Sequence, residues 1–248
     1  MGNVSSGFSS PELYSKSADG SSSGASSGVS SGLFSMQGDV SSSSGSFVAG
    51  SSASKDFAFD VFSSLSGPDR MMHEVNVHVH FSFRGQALVV CDSSNTKDVL
   101  LGLGKFIVAA KLKPVFVLFN HNYKTVGKWL NDNGFFGNYV IIDTVSKSIV
   151  NVSDSKDVFF VDSLLNLTQL QIKILNVMVS NHNSFFVFDS LGILELYHDE
   201  DTTFRFIYSL TKLLHKENFS GFFVSVKKTI VPKMSQFFDE IIELKKMV

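Results

Sequence analysis

The chain has 248 residues, 44% of them hydrophobic and 18% charged, with 21 Lys and Arg against 23 Asp and Glu and a net charge of −2. That balance gives no electrostatic reason to expect nucleic acid or an anionic membrane as partner. The single cysteine, Cys91, excludes an internal disulfide scaffold and favours a reducing, cytoplasmic setting.

Residues 1–70 read as a disordered tail. From Ser5 to Ser54 the sequence is Ser/Gly repeats broken by isolated apolar residues such as Phe8, Leu33 and Phe34, too few to offset the entropy of ordering the backbone, so a flexible tether is expected. The start lacks a basic cluster followed by an apolar run, and no window approaches about 18 apolar residues, so neither a secretory signal nor a spanning helix is expected. Met1-Gly2-Asn3-Val4-Ser5-Ser6 fits the N-myristoylation pattern. In a Ser-rich stretch the hydroxyl comes with composition and no polybasic patch supplies a second membrane signal, so we do not expect Gly2 to be lipidated. Phe57, Phe59, Val61, Phe62 and Leu65 then suit a short strand or helix, and Gly67-Pro68-Asp69 a turn.

Residues 71–248 read as one α/β domain. Val75, Val77, Val79, Phe81 and Phe83 alternate with Asn76, His78, His80 and Ser82, the period of a half-buried strand. Its polar face carries His78 and His80, with His73 just upstream. Zinc needs a third or fourth ligand; His121 and His182 are far along the chain, so a polar face and no metal is the expectation.

Strand and helix patterns then alternate. Gln86–Cys91 is a doubly covered strand, and Val99, Leu100, Leu103, Phe106, Ile107 and Ala110 mark a helix ending before Pro114. Val115–Phe119 is a strand, Val126, Trp129 and Leu130 a short helix closed by Gly134, Tyr139–Asp143 a strand and Val158–Val161 a short extended piece. Leu167, Leu170, Ile174, Val177 and Met178 give a helix capped by Asn166 or Thr168. Phe185–Asp189 is a buried strand, followed by a helix from about Asp201 to Lys216 with Asp199, Glu200 and Asp201 at its positive end. Gly221–Val226, a turn or helix near Pro232 and Phe238–Leu244 complete the set. Such alternation predicts right-handed crossovers and a three-layer α/β/α domain on a mostly parallel sheet. Ligands in such sheets bind beyond the carboxyl ends of the strands, the edge where Asp92, Asn120, Asp143, Asp189 and Lys227 should gather.

Taken in order, Val117–Val126, Val140–Asp143, Asn166–Leu170 and above all Phe186-Val187-Phe188-Asp189-Ser190-Leu191, followed by Phe204-Arg205-Phe206 and Phe223–Val226, resemble the RecA/KaiC-type P-loop ATPase core. The similarity runs from Gln86 to Leu244 and is greatest to archaeal KaiC-related domains that have lost the P-loop. It implies a RecA-like sheet, relatives that assemble as rings, and a link between ATP and signalling or the assembly of motility machinery. An active member carries a Gly-rich phosphate loop after the first strand, with a Lys for the terminal phosphates and a hydroxyl for magnesium. Here that stretch is Cys91-Asp92-Ser93-Ser94-Asn95-Thr96-Lys97-Asp98, without glycine and with Asp98 where the hydroxyl belongs. Gly102-Leu103-Gly104-Lys105-Phe106 is no substitute, because it lies inside a helix pattern.

The resemblance implies that Asp189, followed by Ser190, occupies the place of the magnesium-holding carboxylate. Asn120 and His121 stand where the water-polarising acid belongs, and neutral Asn120 cannot accept a proton in that role. The expectation is therefore a module without catalytic residues or metal, with Lys97, Asp189 and Ser190 as a vestigial nucleotide site and a protein partner or homo-oligomer as its target. In that case Asp189 caps a helix or ties down the neighbouring loop. The alternatives are a divergent ATPase clamping ATP and Mg with Lys97 and Asp189, and an adaptor acting through its tail. A Cys91/His121 nucleophile lacks a third orienting group, and no Gly-x-Ser-x-Gly elbow is present.

Overall fold

A computed structural model of the chain describes residues 64–226 and 231–244. The Ser/Gly stretch, the Gly2 pattern, the apolar residues 57–62 and Lys227 lie outside the described residues.

The first helix, α1 (Gly67–His78), replaces both the expected turn at Gly67-Pro68-Asp69 and the first four residues of the expected strand at Val75–Phe83, and the remainder of that segment forms no strand. Ser66 caps it by accepting the Asp69 N–H, and Pro68 stands in the first turn, where a missing N–H costs nothing. The alternation misled because Val75 and Val79 satisfy period two and the i, i+4 spacing equally. The helix buries Met71, Val75 and Val79, and leaves Val77 71% exposed, whereas a strand would bury it. His73, His78 and His80 therefore do not share a strand face. All three are exposed, and His80 Nδ1 lies 3.2 Å from Ser82 Oγ.

From Gln86 onward the alternation holds. The elements are β1 (Gln86–Val90), α2 (Thr96–Ala109), β2 (Lys113–Leu118), α3 (Tyr123–Asp132), β3 (Val140–Asp143), β4 (Val158–Phe160), α4 (Leu167–Ser180), β5 (Ser184–Asp189), α5 (Leu191–Tyr197), α6 (Glu200–Lys216), β6 (Gly221–Ser225), the single turn α7 (Val231–Met234) and β7 (Glu240–Glu243). Side chains fix the helix starts: Asn122 caps α3, Asn166 caps α4 and Asp199 caps α6, each accepting an N–H three residues on. Helix α5 carries no apolar repeat long enough to announce it, and the sequence reading missed it.

The seven strands form one sheet in the order β4-β3-β2-β5-β6-β1-β7, every pairing parallel. One face packs against α1, α2 and α3, the other against α4, α5 and α6. This is the three-layer α/β/α architecture the periodicities predict. The phenylalanines serve its centre: Phe185, Phe186 and Phe188 of β5 and Phe222 and Phe223 of β6 are fully buried, with ring centroids 4.7 Å apart for Phe185–Phe222. Gly102 sits where α1 crosses α2, and a Cβ there would come within 2.5 Å of Met71 Cβ and 2.9 Å of Pro68 O. The glycines of Gly102-Leu103-Gly104 thus serve helix packing.

Candidate functional site

Parallel pairing aligns the carboxyl ends of all seven strands on one edge. In register, Leu118 lies opposite Asp143 on one side and Asp189 on the other, and Asp189 lies opposite Val224. The edge therefore collects Cys91, Asn120, Asp143, Asp189 and Ser225, as the topology predicts.

The segment after β1 is a closed turn. Residues Ser93–Asn95 form one 3-10 turn capped by Asp92, whose Oδ1 accepts the Ser94 N–H at 3.1 Å and the Ser94 hydroxyl at 2.9 Å. The Asp92 carbonyl takes the Asn95 N–H at 3.0 Å, and Thr96 Oγ1 donates to Ser93 O at 3.0 Å. The Ser94 and Asn95 N–H groups, which a phosphate cradle would aim outward, are here spent on the turn itself. Asp98 faces away, against Gly67 at the start of α1, where a carboxylate suits the positive end of a helix.

Lys97 is exposed in the first turn of α2, and its Nζ lies over the Trp129 ring, 5.4 Å from the centroid. His121 packs edge-on against the same indole at 4.8 Å. Burial pushes the His121 pKa down, so the ring is neutral at pH 7. Lys97, Trp129 and His121 thus form one group around the indole.

Asp189 ends β5 fully buried, and its carboxylate oxygens meet no donor in full hydrogen-bond geometry, the Asn120 amide being near enough only to oppose part of the effect of burial. Burial pushes its pKa up to about 7, with the neighbouring Asn120 amide acting in the opposite sense. It neither caps a helix nor ties down the loop after β1, as the sequence reading supposed; Asp92 closes that loop. The Asp189–Ser190 peptide is cis. Ser190 is the N-cap residue of α5 but makes no capping bond through its side chain, and its Oγ instead accepts from Asn120 Nδ2 at 3.3 Å.

The organising carboxylate of the edge is one the sequence reading placed there without assigning it work. Asp143, fully buried, accepts from Tyr123 N at 2.7 Å, Val145 N at 2.7 Å, Ser146 N at 2.8 Å and Ser146 Oγ at 2.7 Å. It anchors the start of α3 and the 3-10 turn Ser146–Ser148 together. The signal was the Asp-Thr-Val-Ser run after a buried strand, the pattern of an Asp that bonds its own downstream backbone.

Cys91 is buried beside this edge, its thiol pushed up to about 12 by burial first and then by Asp189 and Asp92. Such a thiol is not a nucleophile at neutral pH. No group of three or more His, Cys, Asp and Glu able to hold a metal ion occurs among the described residues, and no helix among them is long and apolar enough to cross a membrane.

No protein-family model matches the chain, and no curated protein matches it. Among solved structures it is similar to a KaiC-like protein from the hyperthermophilic archaeon Pyrococcus horikoshii OT3, with 11% identity and a TM-score of 0.48 over 65% of this chain and 72% of the other.

Proposed function

We propose that the chain is a non-catalytic RecA/KaiC-like module, with a degenerate phosphate loop, that binds or regulates a protein partner or a second copy of itself in the cytoplasm. The observation that carries this reading is the loop after β1, closed upon itself by Asp92. A phosphate-binding loop needs several N–H groups converging on an open point and a Lys beside them. Here the Ser94 and Asn95 N–H groups are taken by Asp92, Asp92 contributes negative charge, and Lys97 rests on Trp129. Asn120, bonded to Ser190 at the end of β5, stands where the resemblance would put the base for hydrolysis, and its neutral amide has no proton affinity to offer.

The competing reading, a divergent ATPase, draws on Asp189 and Ser190 at the end of a buried strand. It requires Asp189 to be an anion facing a cation. With no cation beside it among the described residues, burial pushes this carboxyl up to about 7, so the two readings differ in whether a magnesium nucleotide arrives to hold it as an anion. An ATP turnover assay with magnesium decides between them. The proposal expects the full chain to release no more phosphate than its Asp189→Asn variant, and turnover abolished by that substitution would refute it.

A further inference from the structure

A cleft of about 370 Å³ opens between α1, α2 and the turn that follows α3. Met72 of α1, Val108 and Ala109 of α2 and Phe135 of the turn line it, and the Asp69–Lys105 ion pair, 2.5 Å, joins two of its walls. The walls are fixed by the fold. Gly102 lets α1 approach α2, and Gly134, at a φ of +86°, turns the chain so that Phe135 packs against Gly104. Met72 rests half-buried on the core beneath, while Val108 is 37% exposed, so apolar groups of separate elements face water in one place.

The described residues begin at Ser64, just ahead of this cleft wall. Ser64 is helical, Leu65 is half-buried and Ser66 caps α1. Upstream, outside the described residues, Phe57, Ala58, Val61 and Phe62 recur with Leu65 at the spacing of one helical stripe, and Asp56, Asp60 and Ser63 fall on the opposite side. A helix ending at Ser64 is joined to α1 by two residues, and so short a connection makes two helices antiparallel neighbours. At about 1.5 Å per residue, Phe62 then stands level with Asp69 and Phe57 just past Met72. An apolar stripe has to be buried against another element. The exposed residues of α1, His73, Asn76 and His78, are polar and Val77 is isolated among them, which leaves the cleft as the surface beside α1 that suits the stripe among the described residues.

We propose that residues 57–64 form an amphipathic helix that lies antiparallel to α1 and closes this cleft, with Phe57, Val61 and Phe62 packed on Met72, Val108 and Phe135. The occupant is the chain itself, because a segment held by so short a link is present at an effective concentration in the millimolar range or above, which a free partner has to outcompete. The docking also fixes where the Ser/Gly stretch leaves the domain, beside the end of α2. It involves none of the residues around the loop after β1, so it stands or falls independently of the module proposed above.

Amide hydrogen exchange on the full chain, read by mass spectrometry, tests the assignment. Relative to their intrinsic rates, residues 57–64 should exchange at least about tenfold more slowly than the Ser/Gly stretch before them. Phe57→Asp combined with Val61→Asp removes the stripe, and Val108→Asp, at an exposed position, removes the wall. Each should return residues 57–64 to the rate of the Ser/Gly stretch while peptides from β5 and β6 stay protected. Fast exchange of residues 57–64 in the unaltered chain overturns the proposal. Protection that survives Val108→Asp also overturns it, since the helix then lies elsewhere, and so does protection lost on dilution as a dimer dissociates, which gives the cleft to a second copy.

Discussion

Replacing Asp189 by Asn should make the protein more stable, and increasingly so as the pH rises. Burial pushes the native carboxyl up to about 7, well above the ordinary Asp range, so between those limits the folded state holds a proton that the unfolded state has released. Stability therefore falls as pH rises from the unfolded value and levels off above about 7. At about 1.4 kcal/mol per unit, the wild type carries a penalty of about 2 kcal/mol at pH 5 and about 4 kcal/mol at pH 8. Asn does not ionise and escapes this penalty. It contributes its own desolvation cost, which does not depend on pH. The difference between variant and wild type should thus move by about 2–3 kcal/mol in favour of Asn between pH 5 and pH 8. Urea denaturation of both proteins at the two pH values measures it, with equal m-values confirming that the same transition is compared. A difference that stays constant with pH, or that turns against Asn at pH 8, refutes the reasoning, because it means that the native carboxylate is charged and compensated.

Asp143→Ala strands three backbone N–H groups and one hydroxyl now bound to a carboxylate, and urea denaturation should show a loss of at least about 3 kcal/mol. Gly102→Ala gains about 1 kcal/mol from helix propensity, yet its Cβ meets Met71 and Pro68 of α1. A net loss of about 1–3 kcal/mol in thermal or urea unfolding identifies the packing cost as the larger effect, and a net gain contradicts it. Cys91, buried with a thiol near 12, should be inert to Ellman's reagent at pH 8 in the native protein and react once the chain is unfolded in guanidinium. Rapid native labelling would show an accessible thiolate.

The body of the fold was legible because its strands are buried on both faces. Runs such as Val115–Phe119 and Phe185–Asp189 admit no other reading once Pro114 and the helical repeats between them set the punctuation. The segment Val75–Phe83 was not legible in the same way, because valines four apart serve either period and only the capping set Ser66, Pro68 and Asp69 settles the matter. The sheet edge was legible as a place but not in the work each acid does there. Asp189 and Asp143 both end apolar strands. The backbone that follows Asp143 turns back to donate to it, while the backbone that follows Asp189 enters α5 and donates nothing to its carboxyl. That difference lies in loop geometry, which composition does not encode. The missing glycines in Cys91–Asp98 were legible, but that Asp92 closes the turn by accepting from Ser94 was not.

The central claim, that the loop after β1 has given up nucleotide, is tested most directly by calorimetric titration of the full chain with Mg-ATP and with ADP. The closed Asp92 turn and the position of Lys97 over Trp129 predict no saturable heat with either nucleotide up to about 1 mM, that is, a standard binding free energy no more favourable than about −4 kcal/mol. Micromolar binding that disappears in Lys97→Ala would contradict the account, because it would require the loop to open and the lysine to leave Trp129 for a phosphate.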